Sequence, residues 1–143
     1  RSIDREGKAI HVSEGLCIAL MLLAMLGQRR SEVIGMQRRE LDLKARTWLI
    51  PAARMKGSRS HMVPLSDDAV VLIETAIQLA DRGRAGVSAY VFPGNRLEDQ
   101  SIKPMSVTHA LSRLKVGLGI EGPTVHDLRR TMSTIMTSER CGE

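Results

Sequence analysis

The longest apolar stretch, residues 16–26, predicts a helix that is apolar almost all round. Ser13 is placed to cap the start of this helix and Gly27 to end it. A helix with so little polar surface belongs in a protein core. A short second helix is expected directly afterwards, over residues 29–36, with Ser31 or a neighbour as its cap.

Alternating apolar and polar positions predict a β-hairpin in the middle of the chain. Residues 47–51 form its first strand, with Trp48 and Ile50 on one face, and residues 61–64 return as the second strand. Residues 38–46 before it are expected to be a charged connection that contains Leu41 and Leu43. The basic residues at the tip of this hairpin would be Arg54, Lys56 and Arg59.

Two further helices follow the hairpin. Ser66 is a helix cap, and apolar residues recur at helical spacing from there until Gly83 closes the segment. After a polar loop, Ser106 is expected to cap the next helix, and Gly117 with Gly119 to end it.

The last helix begins with a compact group of polar residues. Thr124 can cap it, with Asp127 three positions later near the positive end of the helix dipole. His126 and Arg129 are three residues apart, so their side chains project from one face. Such a pair suits an anion such as a phosphate. A plain capped surface helix has the same spacing, and the pattern alone does not separate the two.

Together these elements predict an α+β protein that is mainly α-helical, with one small antiparallel sheet. The chain has 143 residues, of which 43% are hydrophobic and 26% charged. That length and balance suit one globular domain. We expect this domain to occupy residues 13–143, after a linker or frayed N-terminus over residues 1–12.

Composition excludes several classes of protein. The chain has one Trp, one Tyr and one Phe, too few for the stacking surfaces of single-strand-binding proteins. Its two cysteines indicate neither a disulfide framework nor a zinc site. The longest apolar run is too short to span a bilayer, and the cytoplasm is the expected compartment.

Positive charge is concentrated in one segment of the chain. The formal charge is +5 and the pI about 9.8. Residues 27–61 hold nine basic and three acidic side chains, so the net positive charge of this segment is larger than that of the whole chain. A cluster of this kind is typical of an electrostatic footprint for nucleic acid.

Four segments, taken in order, carry a resemblance to a known family. They are Gly27-Gln28-Arg29-Arg30-Ser31-Glu32, the hairpin with Lys56 and Val63-Pro64-Leu65, Tyr90-Val91-Phe92-Pro93, and His126-Asp127-Leu128-Arg129-Arg130-Thr131. In this order they resemble the catalytic domain of the tyrosine recombinases, also called phage integrases. The match runs over residues 13–137 and is most similar to integrases of prophages and genomic islands.

The resemblance implies a reaction and a set of roles. A tyrosine attacks a DNA phosphodiester, a 3′-phosphotyrosyl bond forms, and the reverse step rejoins a different strand without metal or other cofactor. Arg29 and Arg129 would clamp the non-bridging oxygens of the transition state. Lys56 would protonate the leaving 5′-oxygen, His126 would assist at the phosphate, and Glu32 would orient Arg29. Secondary phosphate contacts are expected from Arg30, Arg54, Arg59 and Arg130.

The nucleophile that the resemblance implies is not found in this sequence. Tyr90 is the only tyrosine, and it precedes the His-x-x-Arg box instead of following it. We therefore expect a C-terminally incomplete catalytic domain of a bacterial or phage-encoded recombinase, which does not cleave DNA by itself. Its partner would be double-stranded DNA at attachment sites, with a tetrameric full-length protein and a monomeric fragment.

Two other classes of function stay open on the sequence. One is a non-catalytic DNA-binding module derived from an integrase, and the other is a helical protein-interaction domain. The gene downstream of Glu143 separates them, since an in-frame helix with a tyrosine favours the recombinase and a stop codon favours the binder.

Overall fold

A computed structural model describes residues 2–3, 7, 9–94, 99–122 and 124–140. These residues are mainly helical, with two small antiparallel ladders, which confirms the predicted α+β class. No helix among them is long and apolar enough to cross a membrane. The helices are α1 Glu14–Leu26, α2 Arg30–Ile34, α3 Asp67–Asp81, α4 Pro104–Leu118 and α5 Val125–Arg140. The strands are β1 Ser2–Ile3, β2 Ala9–Ile10, β3 Leu41–Asp42, β4 Thr47–Ile50 and β5 His61–Pro64.

The chain divides into two compact units. The first unit joins Arg1–Arg30 to Pro104–Glu143, and the second is Ser31–Lys103. The boundary falls inside α2, after Arg30. The antiparallel strands β1 and β2 lie in the segment that was expected to be a linker or frayed end. The single domain over residues 13–143 stays a prediction.

The first unit is built around α1, which packs against α4 and α5. Six residues of α1 are buried, as its apolar pattern predicts. The Ser13 hydroxyl accepts a hydrogen bond from the backbone N–H of Leu16 at 3.3 Å, so the predicted cap is confirmed. Gly27 ends the helix in the left-handed conformation, at φ 65°, where a side chain would be strained.

The second unit contains a three-stranded antiparallel sheet in the order β3-β4-β5. Trp48 and Ile50 are fully buried on one face of β4, as predicted. The predicted connection over residues 38–46 holds two elements that the sequence did not predict, a 3-10 turn, Arg38–Glu40, and the strand β3. The alternation of apolar and polar positions that predicts a strand cannot be recognised in β3, which has two residues. The Asp42 carboxylate, which accepts from the Ala45 N–H at 2.9 Å, supports the reversal into β4.

A buried carboxylate ties this sheet to its flanking turns. Glu40 accepts hydrogen bonds from the backbone N–H of Gln37 at 3.2 Å and from the indole N–H of Trp48 at 3.0 Å. Its second oxygen lies 3.4 Å from Nε of Arg54. Burying a charge costs free energy unless it is paired and hydrogen-bonded, and Glu40 has both kinds of partner.

Of the helix caps predicted at Ser66, Ser106 and Ser31, only the first is confirmed. The Ser66 hydroxyl caps α3 by accepting from the Ala69 N–H at 3.2 Å, as expected. Ser106 is not a cap, because α4 already begins at Pro104, whose fixed φ and missing N–H suit a first helical position. Ser31 likewise lies inside α2, not before it.

The C-terminal end of α4 was predicted at Gly117 and Gly119, and Gly119 is confirmed. Gly117 lies inside this helix, and the chain leaves it at Gly119, which has φ 61°. A single glycine is tolerated within a helix, whereas the left-handed residue after it marks the end.

The Glu40 network gives a test of the second unit's stability. Glu40→Ala leaves the Trp48 indole without its buried acceptor and the Arg54 guanidinium without its buried counter-ion, and we expect the free energy of unfolding to fall by about 3 kcal/mol. Urea titration followed by Trp48 fluorescence measures this loss. Glu74→Ala, at an exposed position on α3, is the control and should change stability by less than about 0.5 kcal/mol. Equal effects of the two variants would contradict the structural role of Glu40.

Candidate phosphate-binding site

A reciprocal cap fixes the start of α5. The backbone N–H of Asp127 donates to the Thr124 hydroxyl oxygen at 3.2 Å. In return, the Asp127 carboxylate accepts from the N–H and from the hydroxyl of Thr124, each at 2.8 Å. This is a capping box, and it confirms the cap predicted from the sequence.

The same contacts keep Asp127 ionised. Its pKa lies below the ordinary value of 3.8, mainly because the Thr124 backbone N–H and then its hydroxyl bond to the carboxylate. Arg130 and His126 lower it further through their charges. The ionised carboxylate fixes the turn that carries the two predicted site residues of α5.

His126 and Arg129 project from this fixed first turn of α5. His126 is exposed and Arg129 is half-buried. Nε of Arg129 donates a hydrogen bond to the carbonyl oxygen of Gly27 at 3.1 Å. This bond uses one edge nitrogen of the guanidinium, and the two terminal nitrogens, which form the fork for an anion, are not part of it.

The bond brings α5 to the segment that carries Arg29. Gly27 closes α1, and Arg29 follows it by two residues and is half-buried. Within the first unit, the structure thus joins the two arginine boxes through a backbone carbonyl. This acceptor was missed by sequence reasoning, because a carbonyl has no side-chain pattern. The only available signal was the glycine at the end of α1.

Arg30, one residue later, is directed to α4. Its guanidinium donates to the Thr108 hydroxyl and lies 3.8 Å from the sulfur of Met105. On α5, Arg130 is exposed. The phosphate contacts expected of these two residues stay predictions.

The other predicted site residues belong to the second unit. Lys56 and Arg59 are exposed in the turn between β4 and β5, as expected for a hairpin tip. Arg54 is not at the tip, because it ends the 3-10 turn Ala52–Arg54 and is half-buried. Glu32 is buried within α2, with 4% of its surface exposed.

Part of the basic segment is neutralised inside the second unit. Arg38 makes a two-pronged ion pair with Asp81, at 2.6 and 3.2 Å, and its hydrogen bond lowers the pKa of that carboxyl. Arg46 pairs with Asp67. Both acidic partners lie on α3, outside the segment counted from the sequence, so the count overstated its surface charge. The exposed basic residues of the segment are Arg39, Lys44, Arg46, Lys56 and Arg59, and Arg46 alone among them is paired with an acidic residue of α3.

The capping box predicts a pH dependence of stability. A carboxyl whose pKa is depressed on folding stabilises the folded state above its unfolded value and loses that contribution as the pH falls through its folded value. We therefore expect Asp127→Asn to lower the urea midpoint at pH 7, with the difference from the parent chain shrinking below about pH 3.8. Glu121→Gln, in an exposed loop, should show no such convergence. A difference for Asp127→Asn that is constant with pH would contradict an ionic cap.

Comparisons with known proteins identify the family of the chain. The model of the phage integrase family matches residues 8–141. The chain is 40% identical over 101 residues to prophage integrase IntA of Escherichia coli K12, covering 70% of this chain and 22% of that protein. It is 32% identical over 120 residues to the integrase of Shigella phage Sf6, covering 83% of this chain and 29% of that protein. The chain thus spans less than a third of these relatives.

Solved structures show the same fold at lower identity. XerA recombinase superposes with a TM-score of 0.64 at 17% identity, over 89% of this chain and 50% of that one. The Tn1549 transposon integrase, solved in complex with transposon right end DNA, gives 0.65 at 17% identity, over 88% and 47%. Fold, order of motifs and family model agree, and the chain belongs to the phage integrase family, the tyrosine recombinases.

Proposed function

We propose that this chain supplies the phosphate-activating groups of a site-specific DNA recombinase, which breaks and rejoins DNA through a 3′-phosphotyrosine. The observation that carries the proposal is the hydrogen bond from Arg129 Nε to Gly27, which links the His-x-x-Arg box to the first arginine box. Family membership supports the reaction class.

Arg29 and Arg129 act as the anion clamp. Phosphoryl transfer gathers negative charge on the non-bridging oxygens, and paired guanidiniums stabilise it through bidentate hydrogen bonds. The Gly27 carbonyl holds Arg129 by Nε, so the orientation of its fork is set before the phosphate arrives. Such preorganisation reduces the rearrangement needed in the transition state.

Three further residues complete the proposed chemistry. His126, exposed on the first turn of α5, donates a hydrogen bond to the phosphate or assists proton transfer. Lys56, on the exposed turn of the second unit, protonates the leaving 5′-oxygen. Glu32, buried in α2, orients Arg29.

The nucleophile is assigned to a tyrosine other than Tyr90. Tyr90 is half-buried and forms a β-bridge with Gln37 inside the second unit. Tyr90 also precedes the His-x-x-Arg box in the sequence, so we give it no role in the attack.

The partner is double-stranded DNA at attachment sites, in the cytoplasm of a bacterial cell. Exposed basic residues of the second unit and Arg130 on α5 provide phosphate contacts that do not depend on sequence. The full-length recombinase acts as a tetramer, and these 143 residues alone are monomeric.

Sulfate, as a phosphate mimic, tests the clamp directly. Arg29→Ala and Arg129→Ala should each weaken sulfate binding by about tenfold, the usual cost of losing hydrogen bonds to a charged group. Arg129→Lys should lose nearly as much, because an ammonium lacks the planar fork. NMR titration of the 143-residue chain measures the affinities, with thermal melting as a check on folding.

Arg82→Ala is the matched control, since it removes an exposed arginine at the end of α3. Its sulfate affinity should equal that of the parent chain. A loss for Arg82→Ala as large as for Arg29→Ala, or no loss for either site arginine, would refute the clamp.

A further inference from the structure

The guanidinium of Arg54 contacts the second unit through all three of its nitrogens. Its Nη1 donates to the carbonyl oxygen of Gly35, and its Nη2 donates to the carbonyl oxygen of Glu32 at 2.7 Å. Its Nε lies 3.4 Å from the buried carboxylate of Glu40. All three nitrogens are therefore directed at the protein itself.

These partners suit a structural cation. The carbonyls of Glu32 and Gly35 belong to the last turn of α2 and the residue after it, where a positive charge is favoured. Glu40 is nearly inaccessible, with 3% of its side chain exposed, and needs a paired cation. One N–H of each terminal nitrogen is bound to a carbonyl, so this guanidinium is poorly placed to present its fork to a DNA phosphate. These contacts argue against the phosphate contact expected of Arg54.

The contacts of Arg54 also hold the backbone next to Lys56. Arg54 ends the 3-10 turn Ala52–Arg54, and Lys56 follows it by two residues. The turn is closed by hydrogen bonds from the Arg54 N–H to Pro51 and from the Met55 N–H to Ala52, both at 3.0 Å. A further bond, from the Ser58 N–H to the Met55 carbonyl at 3.2 Å, encloses Lys56.

We propose that Arg54 is a positioning residue for Lys56. It anchors the base of the Lys56 turn to the end of α2 and to Glu40, so that a long and exposed side chain starts from a fixed backbone. A lysine has large rotamer freedom, and restricting its starting point reduces the entropy lost when it reaches a phosphate. This inference rests on the proposed role of Lys56 at the phosphate.

The absence of a side chain at Gly35 leaves room for the guanidinium of Arg54. A Cβ at this position would lie 3.0 Å from Nη1 of Arg54 and 3.0 Å from the carbonyl oxygen of Ser31. A Cβ at this position therefore requires the guanidinium, the Ser31 turn or both to shift by a few tenths of an ångström. Gly35→Ala disturbs the anchor while Arg54 and its charge stay in the chain.

A double-mutant cycle on a short DNA duplex tests the proposal with the 143-residue chain. Lys56→Ala should weaken binding by about fivefold, the upper range for an exposed ion pair. If Arg54 acts through Lys56, Arg54→Gln should cost about as much, and the double variant should cost no more than either one. Gly35→Ala should repeat the effect of Arg54→Gln and should also lose it in the Lys56→Ala background.

Arg59→Gln is the matched control, because it removes the same charge from the same exposed turn. Its loss should add to that of Lys56→Ala, as expected for independent phosphate contacts. Additive losses for Arg54→Gln would overturn the positioning role and restore Arg54 as a direct phosphate contact.

Amide relaxation of Lys56 separates this inference from the proposed function. The ¹⁵N heteronuclear NOE of Lys56 should fall in Arg54→Gln and in Gly35→Ala, while the Trp48 indole resonance stays at its folded position. If Lys56→Ala leaves DNA affinity unchanged, the proposed role of Lys56 fails, but a reduced NOE still supports the anchor. An unchanged NOE in folded variants overturns the anchor. If Arg54→Gln does not fold, the DNA-binding cycle and the NOE of Lys56 are measured on Gly35→Ala instead.

Discussion

The hydrogen bond from Arg129 to the carbonyl of Gly27 is the constraint on which the first unit's site depends. It needs α1 to end at Gly27, in a conformation that only glycine adopts without strain. It also needs α5 to start at Val125, directly after the Thr124 cap. Both helix ends are set locally, by a left-handed residue and by a capping box. Two short-range signals thus establish one contact between residues 102 positions apart in the chain.

The second unit uses a buried ionic network for a similar purpose. Glu40 gathers Gln37, Trp48 and Arg54 around one carboxylate, and Arg54 extends the network to the end of α2. Buried ion pairs add little net stability, because desolvation offsets most of the attraction. Their value here is geometric, since they fix where the Lys56 turn begins.

Sequence reasoning was accurate where the signal is local. The caps at Ser13, Ser66 and Thr124 and the buried face of β4 follow from side-chain hydrogen bonding and periodicity. The resemblance located the motif residues, including the turn with Lys56.

Sequence reasoning failed where a residue's partner is distant or belongs to the backbone. Arg54 looked like a surface cation, because nothing nearby in the sequence marks the carbonyls of Glu32 and Gly35 as its acceptors. The central claim, that Arg29 and Arg129 share one anion, is tested most directly by the side-chain ¹⁵Nε–H resonances of both arginines during a vanadate titration. The account predicts that both resonances shift with one common dissociation constant. Shifts with different constants, or a shift of only one resonance, would contradict it.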